Sequence, residues 1–326
     1  MENITILESI NRALSDAMAA DETVLVLGED VADPEDGGIV GVTKGLSTRF
    51  GDHRVRSTPI AEQAIIGAAI GVSLGGFKPV AEIMLMNFTT VAMDMIVNHA
   101  AKLRFMSGGQ TNVPIVIRTM TGSGFANGGQ HSDYLEAWFA HTAGIKVVAP
   151  SNPQDAYGLL RSAIDDPDPV IFIENLPTYY TKGEAPECDY RVPLGKADVI
   201  QKGSDVTIIA YARMVQEAKL AAKVVAERGI SIELIDLRSI APWDREMVLS
   251  SVKKTGRALV VHEAVTPFGA GAEISAVIHE KLFKALKSPV QRLGASFCPV
   301  PFSVPLEAAF APNAATIEAA VLAMLA

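Results

Sequence analysis

The stretch "AEQAIIGAAIGVSLGGFKPVAEIML", residues 61–85, decides the fold. Its first part is small and apolar at nearly every position, and reads as an internal helix. Two glycines then break it, and "KPVAEIML" follows as a strand that is apolar in a continuous run instead of alternating. A strand of that kind, fed by a helix, belongs in a parallel sheet buried on both faces.

The same rhythm spreads outward in both directions. Upstream, "ILESINRALSDAMAA" carries apolar residues at helical spacing and "VLVLG" is a strand. The run "DVADPEDGGIVGVTKG" is a loop, crowded with Pro, Gly and Asp. Downstream, "TTVAMDMIVNHAAKLRFM" is expected to be one helix, "VPIVIRT" a strand and "MTGSGFANGGQHSD" a second glycine-rich loop. "GIKVVAP", "NPQDAYGLLRSAID" and "PVIFIE" then read as strand, helix and strand, with Asn152 as N-cap and Pro153 in the first helical position. Residues 174–203 turn proline- and charge-rich. A first domain is therefore expected over 1–190, a linker over 191–203 and a second α/β domain over 204–326. That second domain reads as four strands with helices between, and Gly229 and Gly256 stand where helix C-caps belong. The fold class is α/β, two doubly wound domains.

Composition narrows the function classes. The 326 residues suit two domains, and 28 basic against 37 acidic residues give a net charge of −9. That balance argues against nucleic acid or an anionic membrane surface as partner. Two cysteines, Cys188 and Cys298, form neither a zinc pattern nor a disulfide framework. The polar start "MENITILESINRAL" lacks the pattern of a signal peptide, and no apolar run is long enough to span a bilayer. A cytoplasmic location is expected.

Several residues carry chemistry. Glu62 sits among Ala61, Ala64, Ala68 and the glycines Gly67, Gly71 and Gly75, which share one helix face and allow close packing, including packing across a subunit interface. A carboxylate there loses solvation and tends to keep its proton, ready to donate to a ring nitrogen. The alternative is a charge favoured by the helix N-terminus. His131 ends the second glycine-rich loop, at the carboxyl end of a parallel strand where open α/β sheets bind ligands. It is either an acid–base group or a surface histidine. Phe88 either stacks on a planar ligand or fills the core. Glu29 and Asp30 close the first strand and either touch ligand or begin a turn. His99 and His141 read as packing or partner-facing, and His262 as a structural hydrogen-bonding group or part of a cleft. No phosphate-binding P-loop or dinucleotide fingerprint is present, because the glycines of "GAAIGVSLGG" continue a helix instead of opening one. The "GDG" and downstream Asn that grip a diphosphate and Mg2+ in thiamine enzymes are missing as well.

The ordered series "LGEDV", "GVTKGL", "RVRSTPIAEQAIIGAAIG", "KPVAEIM", "AAKLRFMSGGQ", "HSDYLEAWFAH", "GIKVVAPSNPQDAYGLL", "DDPDPVIFIE", "VKKTG" and "CPVPFSVPLE" resembles the beta subunit of the thiamine-diphosphate-dependent first component of 2-oxo acid dehydrogenase complexes. The resemblance covers essentially the whole chain. "GGIVGVTKGL", "VIRTMTGSG" and "CPVPFS" look most like the acetoin dehydrogenase branch. "VVHEA" and "GAGAEIS" look more like the pyruvate and branched-chain branches.

The resemblance implies a pyrimidine-binding domain followed by a transketolase C-terminal-like domain. It implies that Glu62 bonds the aminopyrimidine nitrogen of thiamine diphosphate and so promotes loss of the thiazolium C2 proton. Phe88 would stack on that ring, Glu29 would lie beside the cofactor, and His131 would help pass an acyl group to a lipoyl arm. An alpha subunit would bring Mg2+ and the diphosphate grip in an α2β2 heterotetramer, with a lipoyl-bearing acyltransferase core as the next partner. A potassium ion is implied at Ile115, Ala163, Ile164, Asp166 and Asp168, where "IDDPDP" otherwise reads as a turn. Departures from the family pattern cluster on the substrate side: Asn87 for Asp, Asp133 for Gln, Phe105 for Tyr and "ENLPTYY" for "EHK.LY". Two further readings have other consequences: a non-catalytic scaffold of the same fold, and a self-sufficient transketolase-like enzyme.

Overall fold

The computed structural model describes residues 3–326. It divides into two compact units: the chain up to Thr121 with Trp138–Leu194, and Gly122–Ala137 with Gly195–Ala326. The first is built on parallel strands in the spatial order Lys146–Val148, Val170–Asn175, Val116–Thr121, Lys78–Leu85, Val24–Glu29 and Val55–Thr58. Neighbours such as Val116 and Ile117 are both buried although they point to opposite faces, so both faces of the sheet are covered. The helix Ile6–Ala20 starts at a capping box, Thr5 with Glu8, and turns Ile10, Leu14 and Met18 into the core, where it packs on the helix Pro153–Asp165. Asn152 caps the latter through its side chain, with Pro153 in the first turn, as expected.

Three charged residues sit at the centre of this apolar sheet. Arg118 on Val116–Thr121 donates from Nε and Nη2 to both oxygens of Glu174 (2.6 and 3.0 Å) and from Nη1 to Glu82 (2.7 Å). Tyr179 Oη donates to Glu174 as well, at 2.5 Å. Glu82 lies opposite Arg118 on one neighbouring strand and Glu174 two residues further along the other, on the same face, so the guanidinium ties three strands together. Burial raises the Glu82 carboxyl against the pull of Arg118. Burial also opposes the Arg118 charge, but the two carboxylates outweigh it and hold the proton more firmly.

The second unit has a sheet in the order Gln291–Ala295, Ala258–Val265, Val206–Ala210, Ile232–Asp236 and Asp198–Gln201. The first four are parallel and the last is antiparallel. The helices Arg213–Ala226 and Ala314–Leu325 pack together on it through Met214, Ala218, Ala222, Ile317 and Val321. Gly256 caps the helix Arg245–Thr255 in the left-handed region (φ 74°), as expected. Gly229 also has positive φ (76°), three residues past Ala226, where its helix ends.

Two elements differ from the sequence reading. The single helix expected over 89–106 is instead a 3-10 stretch, Met86–Ala92, a π-helical stretch, Asp94–Ala100, and a short α-helix, Leu103–Met106. The Thr89 and Thr90 hydroxyls donate to the carbonyls of Met86 and Asn87, three residues back, which favours the tighter turn. The proline-rich connection holds two strands. Lys182–Glu184 pairs with Asn3–Thr5, and Asp198–Gln201 forms the antiparallel edge that brings the second sheet to five strands.

Replacing Arg118 would leave two buried carboxylates without their counter-charge. Arg118→Met should cost about 3–5 kcal/mol in denaturant unfolding at pH 7.5. The loss should shrink at pH 5, where the orphaned acids take up protons; a loss independent of pH would contradict the charge-lock explanation.

Candidate active site

The expected residues of the first unit leave from the carboxyl ends of adjacent parallel strands, the edge where α/β sheets gather ligand-binding groups. Glu29 is the last residue of Val24–Glu29, and Glu62 comes four residues after Val55–Thr58. Phe88 comes three residues after Lys78–Leu85. Gly28 permits the close approach of the first and third of these strands, since a Cβ there would lie 2.8 Å from the Glu82 carbonyl oxygen.

Glu29 and Glu62 are brought together. Glu29 is half-buried, and its carboxyl is raised by burial first and then by the negative charges of Asp30 and Glu62. Glu62 is half-buried in the first turn of the helix Glu62–Leu74, whose N-cap, Ala61, supplies no side-chain hydrogen bond. The Glu62 carboxylate has no hydrogen bond or ion pair among the described residues, so the fold leaves it available. Asp30 is exposed with a positive φ of 56°, at the start of the loop that returns a hydrogen bond from Gly38 N to its carbonyl (2.6 Å). Phe88 is partly buried against the core and lies in the 3-10 stretch.

The small-residue face of Glu62–Leu74 is open. Gly67 looks toward Met95, with 3.6 Å between its would-be Cβ and Sδ, while nothing lies within 4 Å of the corresponding position at Gly71. Ala64, Ala68 and Leu74 are exposed, and so are the nearby apolar Ile60 and Val91.

His131 falls in the second unit, in the short helix Gly129–Ser132, and is half-buried with its amide bonded to the Gly128 carbonyl (3.2 Å). The segment carrying it is fixed at both ends. At its start, Glu263 accepts from the Ser123 amide (2.7 Å) and hydroxyl (2.9 Å), and Arg213 donates to the Ser123 carbonyl (2.9 Å). At its end, Glu136 is wholly buried and accepts from Tyr211 Oη at 2.6 Å. Its second oxygen, Oε2, has no partner among the described residues. Burial pushes the Glu136 carboxyl up to about 7, aided by the charge of Glu263 and resisted by the Tyr211 bond.

Behind Tyr211, at a ring-centroid distance of 6.4 Å, lies His262. It is fully buried, its Nδ1 donates to the Ala264 carbonyl (3.0 Å), and burial holds it neutral by lowering it to about 4. Gly269, Gly271 and Gly294 each leave room that a Cβ would take from its ring. Of the two roles read for His262, the geometry matches the structural one. His99 is exposed beside Asp94 (3.6 Å), and His141 is exposed.

Of the residues assigned to potassium, Ile115, Ala163 and Ile164 are buried around the turn that holds Asp166 and Asp168. The Ile115 and Ala163 carbonyls accept from the Val170 and Asp166 amides. The Asp166 and Asp168 side chains face Lys146 Nζ (2.6 and 3.1 Å), and Asp168 also binds Arg104 (2.6 Å). No cluster of three or more His, Cys, Asp or Glu side chains fit for a metal occurs among the described residues.

Sequence reasoning missed Arg118, Glu136, Tyr211, Glu263 and Glu307. The signal for the first was present. "VAEIM", "VIRT" and "IFIE" each carry one charge in an otherwise apolar strand.

Comparison with known proteins places these features in a family. Residues 2–181 match the transketolase pyrimidine binding domain and residues 195–317 the transketolase C-terminal domain. The chain is 45% identical over 320 residues to the acetoin:2,6-dichlorophenolindophenol oxidoreductase subunit beta of Cupriavidus necator, covering 96% of this chain and 94% of the relative. It is 46% identical over 296 residues to the pyruvate dehydrogenase E1 component subunit beta of Acholeplasma laidlawii, covering 90% of each. A split-gene transketolase, solved as an inactive beta4 tetramer, shares the fold with a TM-score of 0.80 at 23% identity, over 99% of this chain and 98% of that one. The chain is a two-domain transketolase-like protein. It belongs to the family of acetoin dehydrogenase and pyruvate dehydrogenase E1 beta subunits.

Glu136 makes stability depend on pH in a definite direction. Its folded value of about 7 lies above the ordinary 4.5, so the folded state keeps a proton that the unfolded chain releases, and stability drains away as pH rises through that window. Glu136→Gln presents the same shape as the neutral acid. Its unfolding free energy relative to the parent should rise between pH 5 and pH 8 by on the order of 3 kcal/mol. A pH-independent difference would show that Glu136 is not the titrating group.

Proposed function

We propose that the chain is the beta half of a thiamine-diphosphate-dependent oxidoreductase that cleaves the C–C bond next to a ketone and transfers the acyl group to a lipoyl domain. The observation that carries this reading is the Glu62 carboxylate. It stands unpartnered at a helix start beside a second acid, inside the part of the chain that matches the pyrimidine-binding domain. When bound, thiamine diphosphate supplies the carbon nucleophile that attacks the ketone. Glu62 holds a proton at the pyrimidine ring nitrogen. Glu29, its carboxyl raised by burial and by the charges of Asp30 and Glu62, stands beside it. Phe88 supplies an aromatic face for the ring. His131 moves a proton on the substrate side during transfer to the lipoyl arm.

An alpha subunit completes the unit in an α2β2 assembly. It supplies Mg2+ and the diphosphate grip, for which this chain has no motif. The open face of Glu62–Leu74, with Ile60 and Val91 beside it, supports a partner that covers it. A lipoyl-bearing acyltransferase core is the downstream partner. A potassium ion would be held by backbone oxygens and a carboxylate at Ile115, Ala163, Ile164, Asp166 and Asp168. No described helix is long and apolar enough to cross a membrane, and the cytoplasm is the proposed location. Acetoin is the proposed substrate, on the likeness to the Cupriavidus subunit and the "GGIVGVTKGL" and "CPVPFS" motifs. The comparable identity to a pyruvate dehydrogenase subunit supports a 2-oxo acid, pyruvate or branched-chain, as the second reading.

Co-production with the alpha subunit and dye reduction with acetoin, pyruvate and branched 2-oxo acids side by side tests this. Activity should require both chains and be highest with acetoin. Glu62→Ala should lower turnover by roughly two orders of magnitude or more. Turnover intact in that variant would make the chain a scaffold. Turnover by the chain alone with thiamine diphosphate and Mg2+ would make it a self-sufficient enzyme.

A further inference from the structure

The segment "PVPFSVPLE", residues 299–307, packs against the loop that leads into His131. Glu307, 5% exposed, turns both carboxylate oxygens to that loop: Oε1 accepts from the Gly124 amide at 2.7 Å and Oε2 from the Ala126 amide at 2.8 Å. Ala126 has a positive φ of 55°, a conformation that an alanine rarely adopts unaided. Backbone amides gathered in such a turn form an anion-binding concavity, and here the anion is a side chain from 181 residues away.

The contact continues along the segment. A Cβ on Gly128 (φ 72°) would lie 2.4 Å from the Phe302 ring, and one on Gly129 would lie 3.2 Å from the Pro299 Cβ. Glu307, Phe302 and Pro299 thus meet the loop at three successive points, ending two residues before His131. We propose that residues 299–307 are a positioning strap for His131, with Glu307 as its anchor and Phe302 as its wedge. The strap sets where the imidazole stands without touching substrate.

Because this role depends on the acyl-transfer assignment of His131 made above, the test separates the two. Glu307→Ala, Phe302→Ala and His131→Ala are each assembled with the alpha subunit. Amide hydrogen exchange of residues 122–137 is measured beside dye reduction and acylation of a lipoyl domain. Glu307→Ala should make the loop amides exchange faster, while the rest of the chain is unchanged. It should slow lipoyl acylation by roughly 100-fold, as a displaced catalytic group does, with dye reduction and substrate KM altered far less. Glu307→Gln, which keeps one accepting oxygen, should recover part of the loss. Phe302→Ala removes an exposed ring and should shift both readouts in the same direction by less. Unchanged exchange and acylation in Glu307→Ala, with His131→Ala inactive in transfer, overturn the strap. Should Glu307→Ala fail to assemble, unchanged exchange and acylation in Phe302→Ala overturn it. Normal transfer in His131→Ala overturns the acyl-transfer role of His131, and the exchange data then decide whether the strap holds the loop.

Discussion

One buried guanidinium sets the frame for the first unit. Arg118 binds Glu174 through two nitrogens and Glu82 through a third, and each acid belongs to a different neighbouring strand. A parallel strand slipped by one residue would turn its charge to the other face, away from its partner. The ion cluster therefore selects one register out of several that an all-apolar sheet would tolerate. Register in turn fixes where each strand ends, and so where Glu29, Glu62 and Phe88 stand. Such a cluster is an expensive way to gain stability, because every charge in it has lost its water. Its return is specificity of alignment at the edge from which the candidate site residues emerge.

Around Glu62 in the first unit and His131 in the second, the acids are treated differently. In the first, Glu62 is left without a partner, and Glu29 beside it is raised by burial and like charge. In the second, acids are consumed by structure: Glu263 and Glu307 bind loop amides, and Glu136 is buried against Tyr211. An acid kept away from donors is available for a ligand. Acids saturated with amide donors hold backbone. The contrast gives a physical criterion for separating a reacting carboxylate from a positioning one when both are short of solvent.

The α/β character was legible wherever apolar periodicity ran unbroken. "ILESINRALSDAMAA" coincides with the helix Ile6–Ala20, and "KPVAEIML" with the strand Lys78–Leu85. It failed at "TTVAMDMIVNHAAKLRFM", where threonine back-bonding and a π-helical turn change the residue spacing while the apolar content stays the same. It failed also at Asp198–Gln201, a half-buried edge strand with polar residues at both ends. Glu62 and His131 stood out because they interrupt small or glycine-rich runs. Glu307 could not: its partners are two backbone amides far away in the chain, and an amide leaves no mark in a sequence. The family resemblance supplied the expected roles of Glu62 and His131, while the structure shows what holds the loop that leads to His131.

The central claim is that the Glu62 carboxyl lends its proton to a pyrimidine ring and thereby activates the carbon that reacts. The direct measurement is the rate at which the C2 hydrogen of thiamine diphosphate, bound to the assembled two-subunit protein, exchanges with deuterium, followed by NMR after acid quench. The account predicts fast exchange in the parent and exchange near the free-cofactor rate in Glu62→Gln, with cofactor still bound in both. Equally fast exchange in the two proteins would contradict it.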